Sequence, residues 1–264
     1  ERPAMDRWAL SRLDATVEHV TARLADYDPT AAGRALEDLV DDLSNWYVRT
    51  SRRRFWRSDD RADTAAAFAT LHECLTTIAL LVAPFCPFVA DEMWDNLVAV
   101  HDSSAAPSVH LADWPAPGGR RDEDLEQAMA AAMEATTLGR SARKEAKLKV
   151  RQPLAEAVIA CPPATARALE GLSGIVAEEL NVRAVRFVTD AGGLVEVSLK
   201  PNYRTLGPRM GKEMPAMAQT VAALDATAAV TALDAGQSVT VSVNGVEQVL
   251  HDEDLLREVR PTEG

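Results

Sequence analysis

A mainly α-helical chain, a four-helix bundle followed by a small α+β domain, is predicted by three observations. Apolar residues recur at helical spacing through four consecutive segments of residues 5–98. Residues 99–121 then switch to loop chemistry. Beyond residue 122 a further helix gives way to alternating strand and helix patterns. These boundaries divide the chain into a helical bundle (1–100), a linker (101–121) and a C-terminal α+β domain (122–264).

The elements follow in order. Leu10, Leu13, Val17, Val20 and Leu24 repeat at 3-4-3-4 spacing, one stripe along a helix. Tyr27-Asp28-Pro29 ends it and opens the next, with Asp28 placed to cap and Pro29 suited to the first helical position. The second helix carries Leu36, Leu39, Val40, Leu43 and Tyr47 and runs into an arginine-rich stretch. The third begins near Asp63, shows Phe68, Leu71, Leu75, Ile78 and Val82, and stops at Pro84. The fourth follows Pro87 with Phe88, Met93, Trp94 and Leu97. Short connections between such helices favour an antiparallel bundle. Ser108–Trp114 reads as a short extended piece between Pro/Gly/Ser-rich loops. Residues 122–147 form a helix with Leu125, Met129, Met133 and Thr136 on one face. Strands are predicted near 154–160, 182–189 and 194–200, and helices near 164–179 and 212–233. Asn244-Gly245 between Ser238–Val243 and Val246–Leu250 predicts a hairpin on a type I′ turn.

The 264 residues carry a net charge of −12 with 47% hydrophobic and 26% charged residues, which excludes disordered, collagen-like and disulfide-scaffold chains. No run approaches the ~18 apolar residues of a membrane span. Glu1-Arg-Pro and Pro-Thr-Glu-Gly264 read as ends cut from a longer chain, with no secretory leader. Cys74, Cys86 and Cys161 are far apart, which argues for a reducing compartment and against a cysteine-ligated metal. Cys74 and Cys86 are expected in the core.

The charge is segregated. Residues 49–57, 139–151 and 200–212 hold fifteen basic residues and one acid in 35 positions, so the rest of the chain carries −26. Phosphate is the usual partner of such patches, and solvated salt-bridged faces are the alternative. Wound as a helix at about 100° per residue, Asn45–Arg57 puts Arg49, Arg52, Arg53, Arg57, Trp46 and Trp56 on one side and Leu43, Tyr47, Ser51 and Phe55 on the other. Guanidinium groups grip phosphates and indoles stack on unpaired bases, so the face suits a single-stranded RNA loop. Trp46 and Trp56 could equally pack in the bundle. Gly207–Lys212 is one residue short of a phosphate loop, with Glu213 where Ser or Thr is required. His19, His72, His101, His110 and His251 are scattered, and no catalytic constellation or metal site is found.

Several stretches resemble class I aminoacyl-tRNA synthetases of the isoleucyl type. Asp6–Leu13 resembles the opening helix of their anticodon-binding bundle. Asp42–Arg49 with Ser51–Trp56 resembles the isoleucyl enzymes closely, and Ala83–Trp94 the fourth-helix signature shared with the valyl and leucyl enzymes, with Asp91 where glutamate is commoner. Ser108–Pro115, Lys149–Leu154, Glu179–Val182 and Lys200–Lys212 are again similar to the isoleucyl family. The tail is similar to its eukaryote-like bacterial branch, which lacks a C-terminal zinc finger. The resemblance implies the C-terminal, anticodon-arm-binding part of an enzyme that joins isoleucine to tRNA(Ile) using ATP and magnesium in the cytoplasm. The catalytic motifs and editing domain are absent here, so the piece alone is expected to need no cofactor, to be inactive, and to partner tRNA(Ile) and the remaining domains. Arg49, Arg52, Arg53, Trp56 and Arg57 are the leading RNA-binding candidates, with Arg140, Arg143, Lys144, Arg204, Arg209 and Lys212 behind them. The alternatives are the same region of a valyl or leucyl enzyme, or a helical protein-interaction module.

Overall fold

The computed structural model describes residues 2–56, 60–189 and 195–261. It divides into two compact units, Glu1–Phe187 and Val188–Gly264.

The first unit is built around α1 (Ala4–Ala25). Its stripe is buried as the spacing requires, with Trp8, Leu10, Leu13, Val17 and Val20 all inside. Around it stand α2 (Pro29–Asp41), which runs on through a π-helical stretch, Asp42–Val48, then α3 (Arg52–Trp56), α4 (Arg61–Val82) and α5 (Pro87–Trp94). The predicted caps form: Asp28 accepts the Ala31 N–H at 3.0 Å, and Pro29 opens α2. Asp60, three residues before the expected start of the third helix, accepts the N–H groups of Ala62 and Asp63. α4 is long and apolar enough to cross a membrane, although its ionised side chains interrupt it. Its Ala67, Cys74, Ile78, Ala79 and Leu81 are buried in the bundle, while Phe68 is exposed. Burial pushes the Cys74 thiol up to about 12. Cys86, expected in the core, is exposed at the start of α5.

The division between units falls at 187/188 and not within 101–121, because a shared apolar core and a hydrogen-bonded strap join the two sides of that stretch. α6 (Glu123–Glu145), α7 (Pro163–Glu170) and α8 (Ser173–Leu180) share one core with α1, in which Met129, Ala132, Leu169, Val176 and Leu180 meet Trp8 and Leu13. β1 (Leu154–Ala160) and β2 (Val182–Val188) pair into a two-stranded sheet at its side. Residues 101–121 are strapped to the bundle. The Trp94 Nε1–H donates to the Ala106 carbonyl at 2.8 Å and the Trp114 Nε1–H to Thr21 Oγ1 at 2.8 Å. Asp91 accepts the Ser108 hydroxyl at 2.6 Å and the Val109 N–H at 3.0 Å, so two of the family-like motifs meet through it. Val109–Leu111 is a 3₁₀ turn, where an extended piece was predicted, because the Ser108 hydroxyl also caps it.

Four polar residues of α1 are buried: Asp6, Ser11, Asp14 and Thr16, the last donating its hydroxyl to the Arg12 carbonyl within the helix. Ser11 donates to Glu126 at 2.5 Å and accepts the Asp122 N–H at 2.8 Å. Asp14 accepts the Arg120 backbone N–H at 2.7 Å and its guanidinium at 2.8 Å. Burial alone raises the Asp14 carboxyl, but these Arg120 bonds outweigh it and hold it below the ordinary range. Its contribution is therefore complete above pH about 4, the unfolded carboxylate value, and is lost as pH falls below that. The unfolding midpoint is expected to drop on acidification below pH about 4. Asp14→Asn is expected to be less stable near neutrality and to flatten that drop, as thermal scans at several pH values would show.

The second unit has β3 (Val195–Pro201) paired antiparallel with β6 (Leu255–Pro261), Leu199 opposite Arg257. β4 (Val239–Val243) and β5 (Val246–Leu250) form the predicted hairpin, with Asn244 at φ 52° and Gly245 at φ 84° as a type I′ turn requires. α9 (Tyr203–Met210), α10 (Met214–Ala222) and α11 (Ala226–Asp234) complete the unit. Leu206, Met210, Met217, Leu233, Val243 and Leu250 fill its core. β6 was not predicted: its sequence lacks clean alternation, and its partner lies some sixty residues earlier.

Candidate nucleic-acid interface

The π-helical stretch ends at Val48, and the chain continues through Arg49–Ser51 into α3. Leu43, Tyr47 and Ser51 turn inward as the helical wheel predicts. Trp46 turns inward too, 5% exposed, and its Nε1–H finds no acceptor among the described residues. The α-helical wheel that sets Trp46 beside the arginines does not hold here, because Asp42–Val48 is wound as a π-helix.

Trp56 behaves oppositely. It is 68% exposed, edge-on to Phe55 at 5.8 Å, with the Arg52 guanidinium 5.8 Å from its ring centre. Phe55 anchors the turn against Tyr47 and Phe68. An open cleft of 740 Å³ is lined by Arg49, Thr50, Arg52, Arg53, Trp56, Glu178 and Glu179. Arg49, Arg52, Arg53 and Trp56 are thus brought together. Arg57 lies outside the described residues.

Arg54, between them in sequence, faces the other way. It donates to both oxygens of Asp6 at 2.6 and 2.9 Å and to Asp63 at 2.9 Å. The Tyr47 hydroxyl donates to the same Asp6 at 2.8 Å. Burial, then the Asp6 carboxylate, push the Tyr47 hydroxyl well above its ordinary pKa, and the bonds to Asp6 raise the Arg54 guanidinium against its own burial. This network nails α3 to α1 and α4 and so sets the direction of the arginine face.

The far wall of the cleft comes from α8, and Gly139 lets it approach. A Cβ at 139 would lie 2.6 Å from Leu180 Cδ2 and 2.8 Å from Cδ1, and Leu180 is buried. Gly139→Ala is expected to cost about 1–3 kcal/mol by overpacking, exceeding alanine's helix-propensity advantage of about 1 kcal/mol. Urea unfolding would measure it.

The remaining candidates separate. Arg140, one residue on from Gly139, pairs with Glu179 at the cleft edge. Arg143, grouped by sequence with the surface cations, is buried and donates to the carbonyls of Lys149, Gln152 and Asn181 at 3.0–3.1 Å. It closes the loop after α6 and does not face outward. Lys144 is exposed. In the second unit Arg204 and Lys212 are exposed, whereas Arg209 clips Asp254 at 2.8 Å and the Val249 carbonyl at 3.1 Å. The stretch from Tyr203 to Met210 is helical, so the faint phosphate-loop pattern of Gly207–Lys212 forms no loop around its first glycine. Sequence reasoning missed Thr50, Glu178 and Glu179 as cleft residues; only the family-like Glu179-Leu-Asn-Val stretch pointed to them. Among the described residues, no group of three or more His, Cys, Asp or Glu is placed to hold a metal ion.

A family model described as the anticodon-binding domain of tRNA ligase matches residues 6–159. The chain is 45% identical over 266 residues to the isoleucine–tRNA ligase of Deinococcus radiodurans. It is 44% identical over 266 residues to that of Thermobifida fusca and 40% over 269 to that of Thermus thermophilus. Each match takes in 100% of this chain but only 24–26% of the relative, so the chain spans about a quarter of the length of these curated relatives.

Proposed function

The chain belongs to the family of anticodon-binding domains of tRNA ligases, and from that premise we propose that it is the part of an isoleucine–tRNA ligase that grips the anticodon arm of tRNA(Ile). The observation that carries this reading is the cleft in which Arg49, Arg52 and Arg53 surround the exposed indole of Trp56. Guanidinium groups hold phosphates bidentately, and the indole offers a stacking surface to an unpaired base. Arg140, Lys144, Arg204 and Lys212 extend the basic surface on their own units. Arg57 belongs to the same proposal by its position in the sequence.

In this reading the intact enzyme acts in the cytoplasm and joins isoleucine to its tRNA. ATP and magnesium are handled by the three-quarters of the relatives' length that this chain does not match. Neither a His-Ile-Gly-His nor a Lys-Met-Ser-Lys-Ser type motif occurs among the 264 residues, so the chain alone is expected to charge no tRNA. Isoleucine ligases match the chain from end to end, which favours the isoleucyl reading over a valyl or leucyl one.

The test is binding of this chain to an isoleucine tRNA transcript and to one with a changed anticodon, at two salt concentrations. A preference for the native anticodon that weakens with Arg53→Ala supports the reading. Equal binding to both, falling with salt alone, leaves only a phosphate-gripping surface. No saturable binding at low salt overturns it in favour of a protein-interaction module.

A further inference from the structure

Two adjacent acids face the arginines, and they are held in opposite ways. Glu179 is 9% exposed at its side chain. One of its oxygens takes Arg49 at 2.8 Å and also Arg140, while the other accepts the Thr50 hydroxyl at 3.1 Å. Arg49 is fixed further by its Nε–H, which donates to the Asn45 carbonyl at 2.6 Å, and by the Trp46 ring 5.5 Å away. Two guanidinium groups on one carboxylate leave one positive charge uncompensated, in a fixed place. Glu178 is different. Among the described residues its one ion pair is with Arg53, at 3.1 Å, with the two side chains 51% and 82% exposed. An ion pair so exposed is held weakly.

We propose that these neighbours divide the labour of the cleft: Glu179 is a positioning residue that preorganises Arg49 and Arg140 for a phosphate, and Glu178 is a displaceable occupant of Arg53 that an RNA phosphate must evict. The division rests on the RNA-binding reading above. A carboxylate that must be evicted weakens every polyanion at Arg53. Only a ligand that also fits the preset Arg49–Arg140 pair and Trp56 recovers the loss. The cleft thereby gains selectivity for a shaped anticodon loop over arbitrary polyanions, at some cost in affinity.

The sign of two charge-matched substitutions tests this. Glu178→Gln and Glu179→Gln each remove one negative charge from the same turn, so electrostatics alone tightens RNA binding in both. On our proposal Glu178→Gln binds an anticodon stem–loop of isoleucine tRNA about two- to fivefold more tightly. Its gain toward heparin is at least as large, and the gain vanishes when Arg53→Gln is added. Glu179→Gln binds the stem–loop about five- to a hundredfold more weakly, because two arginine side chains must now be ordered on binding. Circular dichroism checks that each variant folds. If Glu179→Gln does not, Glu179→Asp carries the test: it keeps the charge but shortens the reach, and unchanged affinity in that variant overturns the positioning role. Tighter binding by both glutamine variants, or a Glu178→Gln gain that survives Arg53→Gln, overturns the division while leaving the RNA-binding reading intact. Absence of stem–loop binding by the unsubstituted chain overturns both.

Discussion

Replacing Arg54 by methionine is expected to cost the first unit about 3–5 kcal/mol. Asp6 is fully buried, and Arg54 neutralises it with two hydrogen bonds at 2.6 and 2.9 Å. Methionine fills much of the volume but leaves the carboxylate uncompensated beside Asp63, which Arg54 also holds. Tyr47→Phe removes only one neutral donor from the same acid and is expected to cost about 1 kcal/mol. Combining Arg54→Met with Asp6→Leu is expected to cost less than the sum of the two, since the pair acts as one unit. Urea unfolding of Arg54→Met, Asp6→Leu, their combination and Tyr47→Phe, each against the unsubstituted chain, gives all these numbers. A loss below about 1 kcal/mol for Arg54→Met would show that Asp6 finds other partners.

Trp56→Ala is expected to weaken binding of the anticodon stem–loop by about 1–3 kcal/mol, or roughly five- to 150-fold in Kd, without lowering stability. The indole is 68% exposed, so its removal uncovers little core. Trp56→Phe keeps a ring and is expected to recover much of the loss. The salt dependence of binding should be unchanged in Trp56→Ala, because no phosphate contact is removed, whereas Arg53→Gln should lower its slope by about one unit. Trp46→Phe is the contrasting variant. Its ring is buried, so stability should fall while the intrinsic affinity of the folded protein stays close to the original. A reversal of this pattern would assign the stacking surface to the wrong indole.

What the sequence revealed was largely local. Apolar spacing, the cap at Asp28 and the turn at Asn244-Gly245 depend on residues within a few positions, and each is found where the sequence predicts it. What it concealed depends on distant partners. Asp6 lies on the apolar stripe of α1 and Ser11 and Asp14 lie beside it, but nothing nearby announces Arg54, Glu126 or Arg120 as their partners. Treating residues 101–121 as a linker followed from that blindness, since Pro, Gly and Ser describe a loop's backbone and not whether it is strapped down. Arg143 escapes the sequence for the same reason: a basic run reads as one surface, although the helix turns one of its members inward to three carbonyls. The cleft itself was half legible. Its cationic half is continuous in sequence, whereas its acidic wall arrives some 125 residues later.

The pairing of Ser11 with Glu126 and of Asp14 with Arg120, 115 and 106 residues apart, also bears on the order in which the protein is made. At about 5–20 residues per second, α1 leaves the ribosome roughly 5–23 s before these partners. During that interval its apolar stripe can be covered by the next three helices, but Ser11 and Asp14 must stay hydrated. The nascent bundle is therefore held open along one flank. Assistance from chaperones, or synonymous codons that slow translation near residues 90–120, would act during that window, and ribosome-bound chains arrested at successive lengths should acquire protease resistance only after α6 has emerged.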